Sequence, residues 1–323
     1  MVRACQVLGL ARSTFYHRRN QPAPDPAVSR LRRRRLDSAQ PAALSPAEHQ
    51  KVLDVLTAEG TEHLSVCQAY WQAFDEQQVS CSQSTFYRIA RRAGLVGDRR
   101  RGRHSTSRGR GSGRAKPVAA ASRVHELWSW DISELPGPGR RKFQLFLVLD
   151  VFSRYPIGFR VECDASRSHA VDMFREAFDT HGVPHTLHSD NGSQMRSHDL
   201  ANLLGGAITQ SFSRPHVSND NPFSEALFKT LKYDLAMPQH FDSIDHARTW
   251  VTDYLHGYAH HHRHAGLNRH TPHHVFTGTT DTIQARRQAL LDRNYQAHPE
   301  RYRRPPQAPP PPAPTGINLS KAA

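Results

Sequence analysis

Cysteine is scarce in this chain and never closely paired. Cys5, Cys67, Cys81 and Cys163 are the only four, and no two form a C-x-x-C. That argues against a disulfide scaffold or a Cys-rich zinc site and fits a reducing cytoplasm. Long apolar runs are missing too. The opening MVRACQVLGLARS has no stretch of signal-peptide length, and nothing approaches the ~20 apolar residues of a membrane span. The longest run, FQLFLVLDVF, is broken by Asp150 and reads as a buried strand. Acidic residues are in deficit: 29 Asp and Glu stand against 43 Lys and Arg, for a formal net charge of +14. A polyanionic partner is expected, nucleic acid first. The 323 residues leave room for two domains, or one with substantial appendages.

What is present falls into segments. Residues 1–20 read as a partial helix-turn-helix, with an apolar stretch ending at Gly9 and Ser13-Thr14 capping a short basic helix. Residues 21–45, with RLRRRR at 30–35, read as a mobile basic segment. Residues 46–96 return to helical spacing and end on VSCSQSTFYRIARRAGL, which repeats at 84–87 the Ser-Thr-Phe-Tyr of 13–16. There Ser82 or Ser84 serves as a cap, Phe86 and Ile89 face inward, and Gly94 stops the helix. Arg88, Arg91 and Arg92 then face outward. This suits a DNA-recognition helix, and equally an ordinary amphipathic hairpin. Residues 97–120 begin GDRRRGRHSTSRGRGSGRAK, too polar to bury a core, and read as a flexible basic linker that holds phosphates non-specifically.

Over 121–280 the pattern becomes mixed α/β. HELWSWDIS and RKFQLFLVLDVFSR read as strands joined by the Pro-Gly-Pro-Gly turn at 136–139, and IGFRVEC as a third. SHAVDMFREAFDTHG is a helix ended by Gly182, HTLHSD a short strand, LANLL a helix start and AITQSFS a last strand. PFSEALFKTLKYDL and residues 243–262 are further helices. Residues 281–323, containing PPQAPPPPAP, read as a basic, Pro-rich and largely disordered tail.

Three carboxylates stand out by context. Asp131 lies inside the first strand of the α/β region. Asp190 ends a short strand before the Asn191-Gly192 turn. Glu225 lies in the first turn of a helix for which Asn221 is a natural N-cap and Pro222 a natural first residue. On that helix Phe223, Leu227 and Leu231 share one side; Glu225, Lys229 and Lys232 share the other, where both lysines suit DNA phosphates or, less interestingly, a surface ion pair. Phosphodiester chemistry needs an activated oxygen nucleophile, a neutralised phosphate and a stabilised leaving oxygen. Hard divalent cations held by a few carboxylates supply all three.

The blocks W-S-W-D-I, L-H-S-D-N-G-S-Q and S-R-P-H-V-S-N-D-N-P-F-S-E-A-L-F-K-T-L-K-Y resemble the catalytic blocks of insertion-sequence transposases of the OrfB type, relatives of retroviral integrases. H-H-H-R-H-A-G-L-N-R-H-T-P resembles their closing block, and the likeness runs from about 124 to 276. The resemblance implies a ribonuclease-H-like mixed-sheet core preceded by an all-α helix-turn-helix region. It implies that Asp131, Asp190 and Glu225 are the catalytic and metal-binding triad, with Mg²⁺ or Mn²⁺, two ions, as cofactor. The implied reaction nicks element ends and joins the freed 3′-hydroxyl to target DNA. The implied partners are element-end and target DNA, further copies of the chain, and an OrfA-type product of an upstream frame, in the cytoplasm and nucleoid of a bacterium. Two departures from the family pattern keep open an alternative, a catalytically inactive, transposon-derived DNA-binding protein. Between Asp190 and Glu225 lie 34 residues, one fewer than usual, with Leu203-Leu204-Gly205-Gly206 as the place of the missing one. His-Gly-Tyr-Ala-His at 256–260 stands where Tyr-Asn is usual.

Other features carry less. Asp150 in LVLDVFSR reads as the cap of a turn at Ser153-Arg154. The histidines between 256 and 274 have no cysteine partners, so zinc is set aside; Arg263 and His264 read as DNA-backbone or structural contacts. A tyrosine-type recombinase, suggested by R-H-A-G-L, would leave the three carboxylate blocks without a role.

Overall fold

A computed structural model describes residues 40, 42–61, 64–96, 117–192, 195, 198–214 and 220–319. The readings for 1–20 and for most of 21–45 and 97–120 lie outside these residues. The chain divides into two units, 1–43 with 298–303, and 44–297 with 304–323. The second unit contains everything described below.

Three helices open it: α1 (Pro46–Thr57), α2 (Val66–Asp75) and α3 (Gln83–Arg92). Each begins where a serine hydroxyl, of Ser45, Ser65 or Ser82, accepts a first-turn backbone N–H. Phe86 and Ile89 turn inward onto Val52, Tyr70 and Phe74. The sheet region follows with β1 (Ala119–Ala121), β2 (Leu127–Pro136), β3 (Lys142–Asp150), β4 (Pro156–Glu162), α4 (Arg167–His181), β5 (Thr186–Ser189), α5 (His198–Leu204), β6 (Thr209–Phe212) and α6 (Pro222–Lys232). The chain continues through α7 (Ile244–His261), α8 (Pro272–Phe276), α9 (Thr280–Ala297) and β7 (Thr315–Ile317).

The main sheet has the order β4-β3-β2-β5-β6. β2, β3 and β4 are antiparallel neighbours, whereas β5 runs parallel to β2 and β6 parallel to β5. This is the ribonuclease-H-like arrangement. Strand alternation sorts β2 onto two cores. Trp128 and Trp130 pack with Phe174 and Ala177 of α4 and Leu200 and Leu204 of α5. Leu127 and Leu135 pack on the opposite face with Leu227 and Leu231 of α6 and Val251 and Leu255 of α7. The α5–β6 connection turns at Gly205, φ +57, a left-handed backbone that glycine adopts without strain. β6 still enters in register with β5, from Thr186↔Thr209 to Ser189↔Phe212.

The tail differs from expectation. Far from being largely disordered, 280–297 is a helix whose Leu290 and Leu291 close the α1–α3 core. Prolines donate no N–H but still accept hydrogen bonds. Gln288 donates to the Pro306 carbonyl at 3.1 Å and Asn268 to that of Pro311 at 3.2 Å. The extended run then delivers β7, antiparallel, to β1. Composition alone missed this because the Pro-rich run is held by side chains outside itself, on α9 and at Asn268.

Candidate active site

β2 and β5 place the first two acids. Their parallel register pairs Trp130 with Ser189, so Asp131 and Asp190 each stand one residue further along neighbouring strands. Both therefore project to the face opposite Trp130, the face that α6 covers. α6 supplies the third acid. Ser129, two residues before Asp131 on that face, donates to Asn221 Oδ1 at 2.5 Å and lies 2.8 Å from the Ser224 hydroxyl. Asn221 Nδ2 donates to the Trp130 carbonyl at 3.2 Å. The expected role of Asn221 as a side-chain cap is thus corrected: it makes no cap hydrogen bond. Its amide stitches the helix start to β2 instead, setting Glu225 in the first turn beside the strand that carries Asp131.

The charge of Asp190 acts on both other carboxylates. Asp131 is pushed up to about 7, first by burial and then by the charge of Asp190, with a smaller push from Glu225. Glu225 also rises to about 7, through burial and then Asp190. The Lys232 ammonium opposes this weakly at Asp131, and partial desolvation lowers its own pKa. Asp190 accepts a hydrogen bond from Ser213 at 2.7 Å. Buried His188 lies 2.9 Å from Ser211 and 3.3 Å from Ser213, and burial lowers its pKa. Among the described residues no three His, Cys, Asp or Glu side chains stand at ligand geometry. The donor set nevertheless suits a hard cation: all oxygen, crowded with like charge, and short of compensating positive groups.

Raised acid pKa values carry a stability consequence. The folded chain keeps on Asp131 a proton that the unfolded chain releases above about 4, so stability falls as pH rises from about 4 to about 7. Asp131→Asn removes that loss. We expect it to raise the metal-free melting temperature at pH 8, worth roughly 2 kcal/mol once solvent screening is allowed for, and to change little at pH 4. A variant that melts below wild type at pH 8 contradicts the crowding described.

The other sequence-derived positions sort clearly. Asp150 caps its turn, accepting from the Ser153 N–H and hydroxyl, each at 2.7 Å, and from the His125 N–H at 2.8 Å. Arg88, Arg91, Arg92, Lys229 and Lys232 are exposed. Arg263 is not a surface DNA contact: it is buried and donates to Asp75 at 3.3 Å. Asp75 also takes two bonds from Arg287, at 2.7 and 2.9 Å. Sequence reasoning missed Asp220, which is fully buried and bound by Arg214 at 2.8 and 3.0 Å. The Arg214 guanidinium holds its carboxyl well below the usual carboxylate range. The only signal was an Arg and an Asp bracketing S-R-P-H-V-S-N-D. Buried Arg154, with its guanidinium 4.1 Å over the Phe223 ring, was missed as well.

The sheet thus carries acids on its central strand, at the neighbouring strand end and on the covering helix. Several known proteins resemble this chain. Integrase core domain profiles match residues 121–218 and 206–272. The chain is 23% identical over 272 residues to the insertion element IS476 uncharacterized 39.2 kDa protein of Xanthomonas euvesicatoria, covering 84% of this chain and 70% of that one. It is 29% identical over 161 residues to the transposase for insertion sequence element IS904 of Lactococcus lactis, covering 48% and 62%. Among solved structures, the HTLV-2 integrase catalytic core domain in complex with magnesium aligns with a TM-score of 0.38 at 18% identity, over 48% of this chain and 97% of that one. Residues 121–272 thus match an integrase core domain, and the chain is similar to insertion-sequence proteins, one of them a transposase. No helix among the described residues is long and apolar enough to cross a membrane.

Proposed function

We propose that this transposase nicks DNA at the ends of its element and joins the freed 3′-hydroxyl to target DNA, with Asp131, Asp190 and Glu225 as its catalytic and metal-binding acids. The observation that carries the reading is the shared face: strand register brings two acids side by side and α6 lays the third against them, at the cost of raising two pKa values to about 7. Mg²⁺ or Mn²⁺, as a pair of ions, would activate the attacking oxygen and stabilise the leaving one. The chain's own groups do the rest. Ser213 orients Asp190 through its 2.7 Å hydrogen bond. Glu225 sits at the positive end of the α6 dipole, which favours its ionised form once the crowding charge is neutralised. Lys232 holds a phosphate beside the acids, and Lys229 another along the same helix face. The decisive test is metal-dependent nicking of an element-end oligonucleotide: activity lost on chelation supports the reading, whereas end binding without nicking under either metal favours the inactive DNA-binding alternative.

Residues 46–96 are proposed as a DNA-binding region, with α3 presenting Arg88, Arg91 and Arg92 to the duplex. A charge-removing variant with all three changed to Gln should bind element ends more weakly. The slope of log affinity against log salt should fall by up to about 3, because each phosphate contact releases condensed counterion. An unchanged slope removes α3 from the interface. Substitution is preferable to deleting the region, since α9 would lose the core it closes. Assembly of several copies on DNA, an OrfA-type upstream-frame partner and a nucleoid location in the bacterial cytoplasm complete the proposal.

A further inference from the structure

Asp220 is where the end of the chain closes on the catalytic core. Besides the Arg214 guanidinium, its carboxyl accepts the Arg214 N–H at 3.0 Å and the Asn318 side-chain amide at 2.9 Å. The same amide donates to the Pro117 carbonyl at 3.1 Å. Asn318 has φ +52, a left-handed backbone that asparagine tolerates better than most side chains. Asn221, the next residue after Asp220, stitches α6 to β2, and Glu225 follows one turn later. Two more links join the same strand to the same helix. Arg154, which lies over Phe223, donates to Thr315 at 3.3 Å. Ile317 is fully buried in the cluster that holds Leu227 and Leu231. Between them, a Cβ at Gly316 would overlap the Ala119 carbonyl of β1, so this strand seats only with glycine there.

We propose that residues 315–318 are a positioning strap: they fix the first turn of α6 and, through it, the Glu225 carboxylate against Asp131 and Asp190. Asn318 touches no reacting atom and is a positioning residue. Because Asn221 spends its side chain on β2 instead of capping the helix, the start of α6 depends on tertiary bonds, and Asp220 anchors them. Losing the Asn318 bond leaves the far end of α6 docked through Leu227 and Leu231 but loosens the turn that bears Glu225, which Asn221 and the Arg214–Asp220 pair then hold without it. The role assigned to Glu225 rests on the proposed function; the restraint on α6 does not.

The test uses the full chain with Asn318→Ala and, separately, Gly316→Ala, the second of which unseats the strap without touching Asp220. Amide hydrogen exchange over 225–229 should rise at least roughly tenfold while β3 amides keep their protection. Cleavage at saturating element-end DNA should fall at least roughly tenfold, with DNA affinity within about twofold and half-saturating Mn²⁺ several-fold higher. Unchanged exchange over 225–229 in both variants overturns the strap. A rise spread equally over β3 also overturns it, since that is general destabilisation. Looser α6 amides with wild-type cleavage and metal response overturn the positioning of Glu225. If the α6 amides loosen as expected but the wild-type protein itself never cleaves, the strap stands and the catalytic reading has failed.

Discussion

Asp190→Asn should leave element-end binding intact and reduce both nicking and strand joining by on the order of 10³-fold or more. The amide keeps the shape and the Ser213 hydrogen bond but removes the charge that raises both Asp131 and Glu225. Asp131→Asn and Glu225→Gln should behave alike, and chelation of the wild type should reproduce them. The measurement is single-turnover cleavage and joining of a labelled end oligonucleotide, with binding followed separately. Asp190→Asn joining strands at the wild-type rate would show that the triad is wrongly assigned. The spacing between Asp190 and Glu225 would be at fault only if the wild type were inert with every metal, and inserting one residue near Gly205 is then the repair. The fold gives little reason to expect that need. After the α5–β6 turn at Gly205, β6 reaches its register beside β5.

Asp75→Ala should destabilise the protein by about 3–5 kcal/mol, read as a fall in the urea midpoint, because it strands buried arginines without a counter-charge. Arg287 is 1% exposed, donates to both carboxylate oxygens, and lies over the Trp71 ring with its carbon 4.8 Å from the centroid. Arg263 shares the same carboxylate, and Arg286 donates to the Asp75 backbone carbonyl. Removing both sides of the main pair, as Asp75→Leu with Arg287→Met, should recover most of the loss, since neither charge is then left buried and alone. A double variant no better than Asp75→Ala would mean that the pair is not the source of the cost. The network joins α2 to α9 and to the closing block, so its loss should also reduce DNA binding by α3, a point that separates this variant from Asp190→Asn.

The elements of this protein were largely legible in its sequence. Period-two alternation through L-W-S-W-D-I-S, the apolar run of β3, the serine before α3 and the apolar stripe of α6 each express local backbone physics, and each formed where expected. Asp131, Asp190 and Glu225 stood out in the sequence too, because a carboxylate amid apolar or turn-forming neighbours is conspicuous; their role is the proposal made above. Asp150, a strand-end acid before Ser-Arg, announced its turn for the same reason. The distant partnerships were not legible. Nothing near Arg263 distinguishes an arginine that meets DNA from one that meets Asp75, 188 residues away in sequence. Asn221 had every local mark of a cap, yet β2 offered its amide a buried carbonyl and a hydroxyl, and those bonds won. The Pro-rich tail looked unable to order itself, yet its carbonyls accept from Gln288 and Asn268, and its last strand pairs with β1 and meets Asp220. Local pattern thus determined which segments are helix or strand and which acids stand out. Only the tertiary structure decided which polar groups are buried together, because a buried charge or amide is satisfied by whatever the fold brings within about 3 Å, and sequence spacing does not encode that distance.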